Sequence, residues 1–211
     1  MRRLPVYLLL DTSGSMKGEP IEAVKVGLAS LLASLRKDPH ALDTVHICLM
    51  TFDREVKELV PLKSLDEFIL PEIGVPDAGP THTGMALQEV CAAVRRDVIK
   101  STSERKGDWR PLLFLMTDGG ASDIQLFNEM IPVVKNLGFG AVVGCAAGFK
   151  AKPDELKKFC SQVVRLEQTD GNSFGAFFKW VSEAVAGGNV SMGVTSELEL
   201  PPPPNELKLV C

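Results

Sequence analysis

Four stretches of this chain, Val6–Leu10, Val45–Met50, Leu112–Met116 and Ala141–Ala147, are almost continuously apolar, and polar residues or glycine bound each one. A strand with one wet face alternates apolar with polar residues, so unbroken runs of this kind read as strands buried on both faces. Two covered faces require helices on either side of a parallel sheet. The spacing between the runs is helical. Ile21, Val24, Leu28, Leu31, Leu32 and Leu35 share one helical face. So do Leu87, Val90, Cys91, Val94 and Val98, and again Phe174, Phe177, Phe178, Val181 and Val185. Shorter helices are expected near Ile124–Leu137 and Asp154–Cys160, with a weaker strand at Val163–Leu166. Strands alternating with helices imply right-handed crossovers and an α/β fold: a doubly wound, mostly parallel central sheet flanked by helices. Glu55–Leu62, just after the second strand, is expected to turn back as one antiparallel edge strand.

A length of 211 residues suits one large domain. From Gly188 onward the helical period is lost and Pro201–Pro204 cannot pair inside a sheet, so the reading is a domain over 1–187 and a Pro-containing extension over 188–211. Lys and Arg total 23 against 27 Asp and Glu, a net charge of −4. That balance argues against a nucleic-acid binder whose affinity comes from neutralising phosphates. The five cysteines are scattered and mostly sit in apolar runs, which fits reduced thiols. No stretch is long and apolar enough for a membrane span, and Val6–Leu10 is too short for a signal peptide's apolar region. The expected location is cytoplasmic.

In a doubly wound sheet, ligands bind beyond the carboxyl ends of the strands. The first strand runs into Asp11-Thr12-Ser13-Gly14-Ser15 and the third into Thr117-Asp118-Gly119-Gly120, while Thr81-His82-Thr83-Gly84 precedes a helix. These segments offer hydroxyl and carboxylate oxygens with few charges, a donor set suited to a hard divalent cation such as Mg²⁺. Asp11, Ser13 and Ser15, two residues apart, can point one way from an extended loop. Thr81 and Asp118 would complete the set from separate loops. Each piece has a plainer reading: Thr83 as the N-cap of its helix, and Asp118-Gly119 as a simple turn.

Asp-Thr-Ser-Gly-Ser at Asp11–Ser15, the downstream Thr81-His82-Thr83-Gly84 and the Thr117-Asp118-Gly119 segment together resemble the von Willebrand factor A domain family, over roughly residues 4–187. The resemblance implies a non-enzymatic, metal-dependent protein-interaction module. Its metal-ion-dependent adhesion site would consist of Asp11, Ser13, Ser15, Thr81 and Asp118. It also implies Mg²⁺, with Mn²⁺ or Ca²⁺ as alternatives, and a protein partner that supplies an acidic residue to the metal. The opening segment and the Pro-rich end are similar to bacterial tellurite-resistance-associated proteins of the TerY type. That narrower likeness implies a cytosolic stress-response system and kinase-like or phosphatase-like partners.

The alternative is a Mg²⁺-dependent phosphoester hydrolase using the same metal site. Against it, Ser13 stands where a haloacid-dehalogenase-type phosphatase needs its second Asp, and no Gly-x-Ser-x-Gly surrounds Ser13 or Ser15. His82 is read as a neighbour of the site or a solvent-facing residue, and His46 as a hydrogen-bonded packing residue. Arg95, Arg96, Lys100, Arg105, Lys106 and Arg110 read as a solvated helix end and loop, with Trp109 a candidate interface residue. Glu197 or Glu199 of the extension is a candidate stand-in for the partner's carboxylate in a neighbouring molecule.

Overall fold

The apolar runs become neighbouring strands because each has two apolar faces to cover. The computed structural model of the chain describes residues 2–191, 200–205 and 207–210, without the side chains of 188–191. Its strands are β1 (Leu4–Asp11), β2 (Val45–Phe52), β3 (Val56–Ser64), β4 (Leu112–Thr117), β5 (Ala141–Ala147), β6 (Gln162–Leu166) and β7 (Lys208–Leu209). They form one sheet of order β3-β2-β1-β4-β5-β6-β7. The five central strands run parallel; β3 and β7 are antiparallel edges. The expected edge strand is therefore present, and β7 forms a second one at the far side. Two residues following a proline run carry no periodicity, so nothing local announces β7.

The helices are α1 (Glu19–Leu35), α2 (Pro39–Thr44), α3 (Thr83–Asp97), α4 (Ile124–Asn136), α5 (Pro153–Leu156) and α6 (Gly171–Ser191). On β1, Leu4, Val6, Leu8 and Leu10 share a core with α1 and α6, whereas Tyr7 and Leu9 share one with α3 and α4. This alternation between two cores is why the run has no polar gap. Gly27 of α1 lets α6 approach closely, since a Cβ there would lie 2.3 Å from the Phe178 ring. The helix expected over Asp154–Cys160 is regular only through Leu156; Phe159 and Cys160 then turn the chain into β6.

Beyond residue 200 the chain returns to the domain. The Trp180 indole donates to the Pro201 carbonyl at 2.9 Å, and Leu207 is buried. Glu197, Glu199 and Cys211 lie outside the described residues. Cys48, Cys91, Cys145 and Cys160 are free thiols. No described helix is long and apolar enough to cross a membrane.

Parallel pairing brings the carboxyl ends of β1, β2, β4 and β5 to one pole. The register sets Asp11 beside Phe52 and Leu10 beside Met116, so Asp11 ends level with Thr117. The loops leaving this pole carry the oxygen-rich segments.

Candidate metal centre

Asp11 closes β1 with only 1% of its surface exposed. Its Oδ1 accepts the Ser13 amide at 2.8 Å, an Asx-type turn that reverses the chain, and its Oδ2 accepts the Thr117 hydroxyl at 2.5 Å. A 3₁₀ turn over Gly14–Met16 then brings Ser13 Oγ within 3.3 Å of Ser15 Oγ. Ser15 Oγ donates in turn to Asp118 Oδ1 at 2.9 Å. Gly14 is required by close packing, because a Cβ there would stand 2.9 Å from Ala78 Cα.

Thr81 arrives from the long segment between β3 and α3. Its amide donates to Ser122 Oγ at 3.1 Å and its carbonyl accepts the Ser122 amide at 2.8 Å, fixing it against the loop that carries Asp118. A Cβ built on Gly119 would lie 3.5 Å from Thr81 Oγ1. Asp11, Ser13, Ser15, Thr81 and Asp118 thus gather around one spot from three loops.

The electrostatics of this spot are unbalanced. Asp11 and Asp118 are both buried, and neither makes an ion pair among the described residues. Burial pushes the Asp11 carboxyl up to about 6. Hydrogen bonds from Thr117 and Ser13 oppose the rise, and the Asp118 charge adds to it. The described residues contain no cluster of three or more His, Cys, Asp or Glu side chains. Hydroxyl oxygens must therefore supply much of any metal's shell, and this donor set fits a hard divalent cation that retains waters or an outside ligand. When bound, such an ion would supply the missing positive charge and a Lewis-acidic coordination position.

Sequence reasoning missed the groups that hold these loops together. Thr117 bridges Asp11 to the Gly119 amide, which donates to its hydroxyl at 3.2 Å. Its place inside the Thr-Asp-Gly segment was the available signal. Asp53 accepts from the Thr12 hydroxyl at 3.3 Å and the Glu55 amide at 3.0 Å, and its carbonyl accepts the His82 amide at 2.9 Å. The expectation that Thr83 caps α3 is corrected. Thr83 is the first helical residue, and His82 in the cap position makes no side-chain cap bond. Asp123 caps α3 from another loop, accepting the Gly84 and Met85 amides at 2.9 and 2.8 Å. Gly84 makes room for this crossing, since a Cβ would fall 2.4 Å from Phe127 N. His82 Nδ1 lies 3.0 Å from the Arg54 carbonyl and donates to it, and His46 Nδ1 is 3.2 Å from the Thr44 carbonyl.

The fold and these loops define an α/β domain with an oxygen-rich concavity at the carboxyl-end pole. The profile of the von Willebrand factor type A domain matches residues 6–176, and the chain belongs to that family. Solved structures share the fold. Proximal thread matrix protein 1 from the mussel byssus, in a structure with a zinc-occupied MIDAS motif, aligns at TM-score 0.58 and 18% identity, over 88% of this chain and 48% of that one. The pilus adhesin SpaC from Lactobacillus rhamnosus GG aligns at TM-score 0.68 and 12% identity, over 89% and 31%. The ArnB paralog VWA2 from Sulfolobus acidocaldarius aligns at 0.59 and 14%, over 87% and 45%. The chain spans about half the length of the mussel protein. No curated protein sequence matches it significantly.

Proposed function

We propose that this chain is a metal-dependent protein-interaction module without catalytic activity, in which Asp11, Ser13, Ser15, Thr81 and Asp118 hold one Mg²⁺. A partner's Asp or Glu would complete the coordination. One observation carries the reading: two buried carboxylates lie among hydroxyls and form no ion pair among the described residues. Family membership supports it, since domains of this type generally mediate metal-dependent protein interactions and bind a divalent metal at that motif. The zinc in the mussel protein shows that the motif accepts other divalent ions there; the hard-oxygen donors here favour Mg²⁺. The similarity of the opening segment to tellurite-resistance-associated proteins supports a cytoplasmic role in a stress-resistance system, with kinase-like or phosphatase-like partners.

Titration calorimetry tests the site: wild type takes up Mg²⁺ or Mn²⁺ at millimolar metal with modest affinity, and Asp11→Ala does not. Equal binding by the two proteins would move the metal elsewhere. Recovery of partners from the native host, with and without chelator, tests the interaction, and metal-stimulated turnover of a phosphoester panel would overturn the non-catalytic reading. Chelator should leave the far-ultraviolet circular dichroism unchanged, because both cores are apolar and independent of the site.

A further inference from the structure

Phe149 is 82% exposed at the metal pole, on the loop that leaves β5. Single exposed apolar residues are ordinary and need no explanation. Phe149 differs by its setting. Together with Lys150, Gly148 and Thr169 it lines a cleft of about 160 Å³ whose other wall is Ser15 and Asp118, two of the proposed metal ligands. The cleft therefore opens directly beside the place where a partner's carboxylate would arrive.

The loop is tied to the sheet beside Phe149. Gly148 takes a positive φ of 78°, and its amide donates to the Leu166 carbonyl at 2.8 Å. A Cβ on Gly148 would come within 3.2 Å of Thr169. Ala147 before it and Ala151 after it are buried. Phe149 and Lys150 thus sit between two buried anchors. Lys150 lies with its ammonium 5.8 Å from the Phe149 ring and makes no ion pair among the described residues. An apolar ring and an uncommitted cation thus stand next to a site that itself seeks a carboxylate.

We propose that this cleft selects the neighbour of the metal-binding acidic residue: the partner presents a protein segment in which an aliphatic side chain lies one or two residues from the Asp or Glu. The inference rests on the metal-dependent reading above. One wall of the cleft is the exposed Phe149 ring, an apolar surface that an aliphatic side chain of the segment can cover. Lys150 adds a preference for a second acidic residue over a basic one, by charge complementarity.

An array of synthetic peptides decides the matter. Each peptide carries one Asp in an alanine-serine background, the two positions on either side are varied through all residues, and the array is probed with the full chain in Mg²⁺ and in chelator. Binding should require both Mg²⁺ and the Asp, with an aliphatic flank improving affinity roughly 10-fold over serine. Phe149→Ser should erase that gain while binding still requires Mg²⁺ and Asp, and Lys150→Glu should reverse the preference between acidic and basic flanks. Mg²⁺- and Asp-dependent binding with no aliphatic preference, or a preference that survives Phe149→Ser, would overturn the inference and leave the metal reading standing. An aliphatic preference indifferent to chelator would instead break the metal reading. Because Phe149 and Lys150 are exposed, these variants should fold, and an unchanged thermal midpoint checks it.

Discussion

At the carboxyl-end pole of the sheet, Asp11 and Asp118 are buried among hydroxyls and form no ion pair among the described residues. The opposite pole is rich in arginine and lysine, and its inner charges are matched. Arg3 forms a two-pronged pair with Asp108 at 2.9 and 2.6 Å and also donates to the Asp97 carbonyl. Arg2 donates to the Gly107 and Asp108 carbonyls and lies 3.6 Å over the Trp109 ring. Arg96 bridges Glu58 and Asp97. Charge satisfied within the chain builds structure, whereas buried charge left uncompensated marks where something from outside belongs. Trp109, a candidate interface residue from sequence, is half-buried under Arg2 and packs against the core.

The largest expected effect breaks the metal pole alone. Asp118→Ala should weaken Mg²⁺ binding by roughly 100-fold, while Lys106→Glu at the other pole should change it by less than about twofold. Calorimetry on both variants checks this, and similar losses would erase the distinction between the poles.

Next, Arg3→Ala should lower stability by about 2 kcal/mol in urea unfolding and leave metal affinity unchanged, because it strands the buried Asp108 carboxylate. A fall in Mg²⁺ affinity would mean the poles are coupled.

A smaller effect sharpens the electrostatic contrast. The folded carboxyl of Asp11, near 6, lies above its ordinary value, so the metal-free fold is favoured below the ordinary range and penalised as pH rises through about 6. Asp11→Asn should therefore stabilise the metal-free protein by about 1–2 kcal/mol at pH 7 and by little at pH 4. For wild type, Mg²⁺ affinity should fall as pH drops below about 6, since protons compete for the carboxylate. Denaturant midpoints across pH in chelator would contradict this if the two proteins ran parallel. The smallest change is expected from Arg105→Glu, on the exposed loop of the basic pole, at under about 0.5 kcal/mol.

Much of the fold was legible because burial on both sides of a strand leaves a local mark. The runs ending at Leu10, Met50, Met116 and Ala147 fall within β1, β2, β4 and β5, and the three helical faces fall on α1, α3 and α6, except that Val98 is the residue just past the end of α3. The antiparallel strand expected over Glu55–Leu62 is β3, two residues longer at its carboxyl end. The oxygen-rich segments were visible for a similar reason, since each is contiguous and follows or precedes an element with a clear period.

The sequence by itself determined the order of the strands and helices other than α2 and β7, the doubly wound class and which residues could offer oxygens at the carboxyl ends. Tertiary structure decided how those residues are held. Register between β1 and β4 makes Thr117 the partner of Asp11, and the crossing of α3 over α4 gives Asp123 to another helix's amides instead of its own. The return of the chain after Pro204 decides that Lys208–Leu209 lies against β6. Such pairings join residues far apart in the chain, and their energies depend on packing that no local pattern encodes.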